Sequence, residues 1–237
     1  GCKTIAGDIK KVSSFKKLDK DYDLVFHLAA KTSSSVAESQ PDECFENNVI
    51  GAYNLINWIN EIKPKCLVFS SSMSVYGRIA NKISENYLCK PISVYGKSKL
   101  LGEKIFKVMT NIETKLVILR LFNVYGPNQD FNNLKQGMLS IYLAQIYKKG
   151  KVFVTGSLKR YRDFVFVDDV VKALMNYNKF KNKNVYNVGT GKKIKVNFLI
   201  NKIFKSLKKN PKNNIIVSKS SYGDTWGSYA NIKKSKN

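Results

Sequence analysis

Apolar runs alternate with amphipathic stretches along the first half of this chain. Residues 23–30 form an apolar run typical of a buried strand, and Pro41 then opens a segment whose apolar residues recur at helical spacing. These helical positions are Phe45, Val49, Ala52, Leu55, Ile56 and Ile59. Further buried strands are predicted at 66–72 and 116–122. Strands that alternate with helices indicate a parallel α/β sheet.

The pattern loosens after Tyr125–Pro127, a turn that ends the strand at 116–122. Residues 128–136 are polar and rich in Asn, which indicates a change of domain. Helices are predicted at 138–148 and 196–208, and short strands at 152–156, 164–167, 185–189 and 215–217. Asp168 and Asp169 are predicted to form the N-cap of a helix, where the helix dipole favours acidic side chains.

Composition narrows the possible environments and partners. The chain has 237 residues, 43% of them hydrophobic, which is enough for a core of domain size. No apolar run approaches the ~18 residues of a membrane span, and the first residues do not resemble a secretory signal. Four widely spaced Cys and one His disfavour a disulfide framework and a metal site. We therefore expect a cytoplasmic protein with no metal and no membrane contact.

A formal net charge of +24 raises the question of nucleic-acid binding. Of the 41 Lys and Arg residues only four are Arg, and the Lys residues are spread along the whole chain. Arg is the residue that makes bidentate contacts with phosphate and guanine. We therefore predict a solvated lysine surface and no nucleic-acid partner.

The candidate chemistry lies at the end of the strand at 66–72, which finishes in three serines and is followed by Tyr95-Gly-Lys-Ser-Lys99. Tyr95 and Lys99 share one face if this segment is helical. A nearby ammonium lowers the pKa of a phenol, so Tyr95 is predicted to act as an acid/base on a secondary alcohol. Tyr-x-x-x-Lys occurs four times, but only Tyr95 follows a strand that ends in a serine cluster.

These segments together resemble the extended short-chain dehydrogenase/reductase family, within it the NAD-dependent nucleotide-sugar epimerases and dehydratases. The resemblance extends over essentially the whole chain in the family's order. Its segments are Gly7–Ile9, His27–Ala30, Asn47–Gly51, Phe69–Gly77, Tyr95–Lys99, Arg120–Pro127, Arg162–Asp169 and Tyr186–Gly191. It implies a doubly wound Rossmann-type sheet with a smaller C-terminal substrate lobe, NAD as the cofactor and a nucleotide sugar as the substrate. A homodimer is also expected.

The resemblance assigns a role to individual residues. Ser72, Tyr95 and Lys99 would be catalytic, with Ser72 holding the sugar hydroxyl. The cofactor-binding set would be Asp8, Ile9, Leu28, Ala29, Ala30, Asn48, Ser70, Tyr95, Lys99 and Phe122, and the substrate-binding set Ser72, Asn123 and Arg162.

Simpler structural roles compete with several of these assignments. Ser70 and Ser71 could satisfy local backbone groups, and Asp8 could cap the segment after it. His27 is expected to be a satisfied strand-end residue. Arg162 could instead pair with Asp163 or Asp168. Arg120, inside an apolar strand, is expected to have a structural partner.

The chain departs from the family pattern at two places. The Gly-x-x-Gly-x-x-Gly loop that holds the cofactor pyrophosphate is absent, so the chain resembles a member without its first strand–helix units. We therefore expect the isolated chain to bind NAD weakly and to expose apolar sheet surface. At 220–224, where many epimerases carry an Arg for a substrate phosphate, only Lys219 is near.

The domain and function predictions follow from this resemblance. A partial NAD-binding domain is expected at 1–127 and a mainly substrate-binding lobe at 128–237, with 163–190 returning to the first sheet. The expected reaction is NAD-dependent C4 epimerisation of a UDP-hexose, since Met73 and Ser74 stand where dehydratases carry an acid and a base. A 4-keto reductase or dehydratase relative is the alternative, and a non-catalytic remnant or binding module is the alternative of another class.

Overall fold

A computed structural model describes residues 2–32, 34–134, 137–219 and 226–236. The helices are α1 Val12–Phe15, α2 Ser34–Ser39, α3 Pro41–Phe45, α4 Gly51–Ile62, α5 Val94–Met109, α6 Met138–Lys149, α7 Val167–Met175, α8 Val196–Ser206 and α9 Lys233–Lys236. The strands are β1 Leu24–His27, β2 Cys66–Ser72, β3 Lys82–Ile83, β4 Lys115–Leu121, β5 Asn123–Tyr125, β6 Val152–Thr155, β7 Tyr161–Arg162, β8 Phe164–Phe166, β9 Asn184–Val188, β10 Ile194–Lys195, β11 Ile215–Ser218 and β12 Tyr229–Ala230. Single 3-10 turns lie at Met73–Tyr76 and Tyr177–Lys179.

A four-stranded sheet in the order β1-β2-β4-β9 carries the candidate chemistry. β1 and β2 pair in parallel, with Leu24 opposite Cys66 and His27 opposite Phe69. Every residue of β2 is buried, which is the pattern of a strand covered on both faces. The core of this region joins α4 and α5 to the sheet through Leu55, Ile56, Ile59, Leu67, Phe69, Phe106, Leu116 and Ile118.

The helical segment predicted after Pro41 contains a break that the periodicity did not reveal. α3 ends at Phe45, a π-helical turn covers Glu46–Ile50, and α4 begins at Gly51. A π turn inside a helix inserts an extra residue and often marks a functional position. Here the turn contains Asn48, one of the predicted cofactor residues.

Two sequence-based predictions about the ends of elements differ from the structure in a way that affects the argument. The strand predicted at 23–30 ends at His27, because the chain leaves the sheet after that residue. Asp168 and Asp169 lie inside the first turn of α7, which begins at Val167, so the N-cap prediction was wrong. The dipole argument still holds there, because acidic side chains in a first helical turn face the positive end of the helix.

The contacts divide the chain into two compact units. The first comprises the described parts of Gly1–Val75, Pro91–Arg120 and Ala173–Tyr186. The second comprises those of Tyr76–Lys90, Leu121–Lys172 and Asn187–Asn237. In the second unit α6 and α8 pack with the parallel pair β6–β11 around Tyr142, Ile146, Val152, Val154, Ile200 and Phe204. The domain limits at 127 and 128 stay a prediction.

Candidate active site

The three serines that end β2 are all buried, and each has a different partner. The Ser70 hydroxyl donates to the His27 carbonyl at 3.0 Å, on the neighbouring strand β1. The Ser71 hydroxyl donates to Glu103 Oε1 at 2.6 Å, so the expectation of a local backbone partner was wrong for Ser71. Ser72 Oγ donates to Ser74 Oγ at 3.2 Å and accepts from the Ser74 N–H at 3.1 Å. Each hydroxyl is therefore held in a defined direction.

Helix α5 brings Tyr95 and Lys99 to this strand end. Ser93 forms the N-cap, and its side chain accepts from the Gly96 N–H at 3.0 Å, which sets the start of the helix. The Tyr95 phenol is hydrogen-bonded to Ser72. One turn later Lys99 is buried and its Nζ donates to the Ser70 carbonyl at 2.7 Å. The structure thus brings together Ser72, Tyr95 and Lys99, as the spacing predicts.

Gly96 permits the close approach between α5 and the turn after β2. A Cβ at this position would lie 2.6 Å from the Ser74 carbonyl oxygen and 3.1 Å from Pro91. Contacts that short would push the helix away from the turn that carries Ser74. Gly96 is therefore part of the site's geometry, although the sequence motif by itself gives this glycine no role.

Burial, and not the neighbouring lysine, dominates the ionisation of Tyr95. Desolvation raises the pKa of the Tyr95 phenol to about 12, while the hydrogen bond with Ser72 acts in the opposite direction. The predicted lowering of this pKa toward neutrality was wrong for the protein alone, because the Lys99 ammonium points to the Ser70 carbonyl. Desolvation also lowers the pKa of Lys99 to about 8. Protein groups alone therefore leave the phenol protonated at neutral pH.

His27 is a buried aromatic residue of the core. Its ring stacks on Phe69 with a centroid separation of 5.3 Å and meets the edge of Phe106 at 5.6 Å. Desolvation, followed by the charge of Lys99, lowers the pKa of His27 to about 3. A neutral, stacked imidazole agrees with the expectation of a satisfied strand-end residue.

Asn48 is buried and its side-chain amide is used by protein groups. Oδ1 accepts from the Lys31 N–H at 2.8 Å, and Nδ2 donates to the Lys31 carbonyl at 3.0 Å and to Ser98 Oγ at 2.9 Å. The residue therefore ties the segment after β1 to helix α5. Direct contact between Asn48 and the cofactor stays a prediction, while its role in shaping that segment is visible in these bonds.

The carboxyl end of β1 offers surface for a flat ring. Leu28 is 54% exposed, Ala29 is exposed and Ala30 is half-buried. Ligands of parallel sheets bind outside the carboxyl ends of the strands. Asp8 is half-buried and its Oδ1 accepts from the Lys10 N–H at 3.0 Å, in agreement with a local turn. Ile9 lies against Gly51. A carboxylate that can accept from ribose hydroxyls, small apolar side chains and the Tyr95–Lys99 pair are the kinds of group that fit the nucleosides of NAD, and contact of these residues with NAD stays a prediction.

The remaining predicted residues belong to the second unit. Phe122 is buried and its N–H donates to the Val188 carbonyl at 2.9 Å. The Asn123 side chain donates to the Asp163 carbonyl at 2.9 Å. Arg162 is buried in β7, with its guanidinium donating to the Tyr161 carbonyl at 2.8 Å. Lys219 is exposed, and the segment 220–224 lies outside the described residues. Substrate roles for Asn123 and Arg162 stay predictions.

Arg120 has the structural partner that its place in an apolar strand predicts. Its Nε and Nη2 donate to Glu103 Oε1 and Oε2 at 2.8 and 2.7 Å. No motif in the sequence assigns a role to Glu103. Its position four residues after Lys99 was the only available signal, since helical residues four apart share a face.

Neither a metal-binding cluster nor a membrane-spanning helix is present among the described residues. Among these residues there is no group of three or more His, Cys, Asp or Glu arranged to hold a metal ion. None of the described helices combines the length and apolar character needed to cross a bilayer.

Comparison with known proteins identifies a family and several relatives of this chain. Residues 2–189 match the NAD dependent epimerase/dehydratase family. A putative UDP-glucose 4-epimerase of Methanocaldococcus jannaschii is 31% identical over 236 residues, covering 98% of this chain and 76% of that protein. UDP-glucose 4-epimerase of Mycoplasma genitalium is 35% identical over 190 residues, covering 71% of this chain and 56% of that protein.

A solved structure of a relative is similar to this chain in its fold as well as in its sequence. UDP-glucose 4-epimerase of Thermotoga maritima, determined with UDP-glucose, superposes with a TM-score of 0.88 at 28% identity. The match covers 97% of this chain and 75% of that one, which confirms the Rossmann-type fold. The matched residues include the serine cluster, Tyr95 and Lys99. This chain therefore belongs to the NAD-dependent epimerase/dehydratase family.

Proposed function

We propose that the protein containing this chain is an NAD-dependent nucleotide-sugar 4-epimerase that acts on a UDP-hexose. The observation that carries the proposal is the contact between Ser72 and the Tyr95 phenol, with buried Lys99 one helical turn away. A hydroxyl, a phenol and an ammonium meet at the end of one strand, which is what proton transfer to and from a sugar hydroxyl requires. The UDP-glucose 4-epimerase names of the relatives support this choice of substrate.

The protein's part in the reaction is to hold and move one proton. Ser72, held by the Ser74 main chain and hydroxyl, orients the 4-hydroxyl of the sugar toward Tyr95. Tyr95 takes the proton of that hydroxyl and returns it after the sugar has presented its other face. Lys99 anchors the strand end through its bond to the Ser70 carbonyl. When bound, NAD supplies the hydride acceptor and a cationic ring, which favours the phenolate.

The residues after Ser72 favour epimerisation over dehydration. Elimination of water needs an acid and a base beside the sugar, and Met73 and Ser74 occupy these positions. Ser74 is also engaged with Ser72, so its hydroxyl serves to orient the neighbouring side chain. A 4-keto reductase uses the same Ser, Tyr and Lys and is the second candidate. A homodimer and a cytoplasmic location stay predictions.

Coupled assays on the complete natural protein test this proposal. UDP-glucose, UDP-galactose and their N-acetyl forms should interconvert at C4 without net formation or consumption of NADH. Stoichiometric NADH consumption without epimer formation would favour the reductase. Tyr95→Phe should lower kcat at least about tenfold. Tyr147→Phe is the matched control, because Tyr147 also begins a Tyr-x-x-x-Lys motif but is 62% exposed on α6.

A further inference from the structure

Glu103 and Arg120 form a fully buried ion pair beside the candidate active site. Glu103 is 2% exposed and Arg120 4%, and the two side chains are joined by the bidentate bonds already described. Glu103 Oε1 also accepts the Ser71 hydroxyl at 2.6 Å. A buried ion pair often contributes no more stability than apolar residues of similar volume, because both charges lose their hydration. Stability alone is therefore a weak reason for the presence of this pair.

The position of Glu103 on its helix points to a second role. Tyr95, Lys99 and Glu103 are spaced four residues apart, so they lie on one face of α5. Each of them holds a different serine at the end of β2. Tyr95 is hydrogen-bonded to Ser72, and Lys99 Nζ donates to the Ser70 carbonyl. The Glu103 carboxylate accepts from the Ser71 hydroxyl. Glu103 thus holds Ser71, which lies between Ser70 and Ser72, the partners of Lys99 and Tyr95.

We propose that Glu103, held in place by Arg120, is a positioning residue for the catalytic group. It fixes the end of β2 on helix α5, and so sets the direction of the Ser72 hydroxyl and the Ser70 carbonyl. Arg120 comes from β4 and prevents the carboxylate from turning away, because its two bonds occupy both oxygens. Ser71 joins the Glu103–Arg120 ion pair to β2, since its hydroxyl donates to Glu103 and the same strand carries Ser72.

The carboxylate also acts on the charge of Lys99. The titratable groups that interact with the Lys99 ammonium are Cys44 from α3, His27 from β1 and Glu103 from its own helix. Arg120 from β4 is paired with Glu103, and Tyr95 lies one turn before Lys99 on α5. Burial lowers the pKa of Lys99 to about 8, and the interactions with Cys44 and Glu103 oppose that change. His27 is neutral above about pH 3. Loss of the carboxylate therefore lowers the pKa of Lys99 further.

This effect has a signature in folding stability that does not depend on activity or cofactor. The pKa of Lys99 is 10.5 in the unfolded chain and about 8 in the folded protein. Between these values the unfolded chain binds more protons, so the free energy of unfolding rises with pH. Without Glu103 this rise should begin at lower pH, because the nearby negative charge of the carboxylate raises the pKa of Lys99. The same measurement in a Lys99→Met background removes the rise and isolates the Lys99 contribution.

The decisive variant is the double replacement Glu103→Leu with Arg120→Met in the complete natural protein. Removing both charges avoids the uncompensated buried charge that a single replacement would leave. We expect an unfolding midpoint close to that of the wild type, an earlier rise of stability with pH, and a kcat lowered roughly tenfold with KM little changed. The alkaline limb of the kcat profile should move to lower pH, since Lys99 then loses its charge, and with it the charge-assisted bond to the Ser70 carbonyl, at lower pH. The turnover readout rests on the proposed epimerase function.

A matched control and a second variant complete the test. Glu113→Gln with Lys63→Met removes an exposed ion pair of the same unit and should change neither profile. Ser71→Ala keeps the buried ion pair and removes only its link to β2, so kcat should fall without a shift of the alkaline limb. If the double variant does not fold, Ser71→Ala decides: wild-type kcat in that variant overturns the positioning role.

The outcomes separate this inference from the proposed function. Wild-type turnover and an unchanged onset of the pH-dependent rise in the folded double variant would show that the pair is structural only. If the wild-type protein epimerises none of the UDP sugars, the proposed function fails. The onset of the rise in stability still tests the action of Glu103 on Lys99 in that case, because it requires neither substrate nor NAD.

Discussion

Replacing His27 with Phe should remove a pH dependence of folding stability that this single side chain creates. Burial and the charge of Lys99 lower the pKa of His27 from 6.5 to about 3. As the pH falls below 6.5, the unfolded chain takes up a proton on this imidazole and the folded protein does not. The free energy of unfolding of the wild type therefore decreases through this window, down to about pH 3.

The size of the effect follows from the pKa difference. Each pH unit within the window costs about 1.4 kcal/mol, so the whole interval corresponds to roughly 5 kcal/mol. Between pH 6.5 and about 4.5 the His27 contribution is about 2 kcal/mol, because the unfolded chain is already half protonated at pH 6.5. Phe provides a flat ring for the stack on Phe69. The His27 carbonyl that accepts the Ser70 hydroxyl belongs to the main chain and is retained.

Urea unfolding followed by circular dichroism measures this directly in the wild type and in His27→Phe. Carboxylates that titrate in the same interval contribute equally to both proteins and cancel in the difference. The stability of the wild type relative to the variant should fall by about 2 kcal/mol between pH 6.5 and about 4.5. A constant difference would mean that folded His27 binds its proton near its ordinary pKa, and the assignment of a neutral buried ring would be refuted.

Three further substitutions test the geometry of the site. Gly96→Ala should destabilise the protein by about 1–3 kcal/mol in urea unfolding and lower kcat, since the added Cβ meets the Ser74 carbonyl at 2.6 Å; a stability equal to the wild type would contradict the close packing. Asn48→Asp should cost about 1–3 kcal/mol, because the Nδ2 donors to Lys31 and Ser98 are lost; unchanged thermal unfolding would argue against that network. Lys99→Met should lower kcat and weaken NAD binding by calorimetry, and wild-type values of both would remove Lys99 from the mechanism.

The order of strands and helices and the location of the candidate chemistry could be predicted from local patterns. Apolar runs and helical periodicity placed β2, β4, α6 and α8 close to their observed limits. The four-residue spacing of Tyr95 and Lys99 needs only a helix to place both side chains on one face. The π turn at Glu46–Ile50 could not be predicted, because one inserted residue leaves the average periodicity of the segment almost unchanged.

The sequence by itself determined which residues could do the chemistry and which elements carry them, because propensity, periodicity and capping are properties of neighbours along the chain. Tertiary structure alone decided how those residues are tuned. Ser71, Glu103 and Arg120 meet from a strand, a helix and a second strand, and no local pattern joins them. The pKa of Tyr95 rises instead of falling because desolvation depends on every segment packed around the phenol. Burial and long-range pairing are set by the whole fold, so the site's residues could be identified from the sequence but its electrostatics could not.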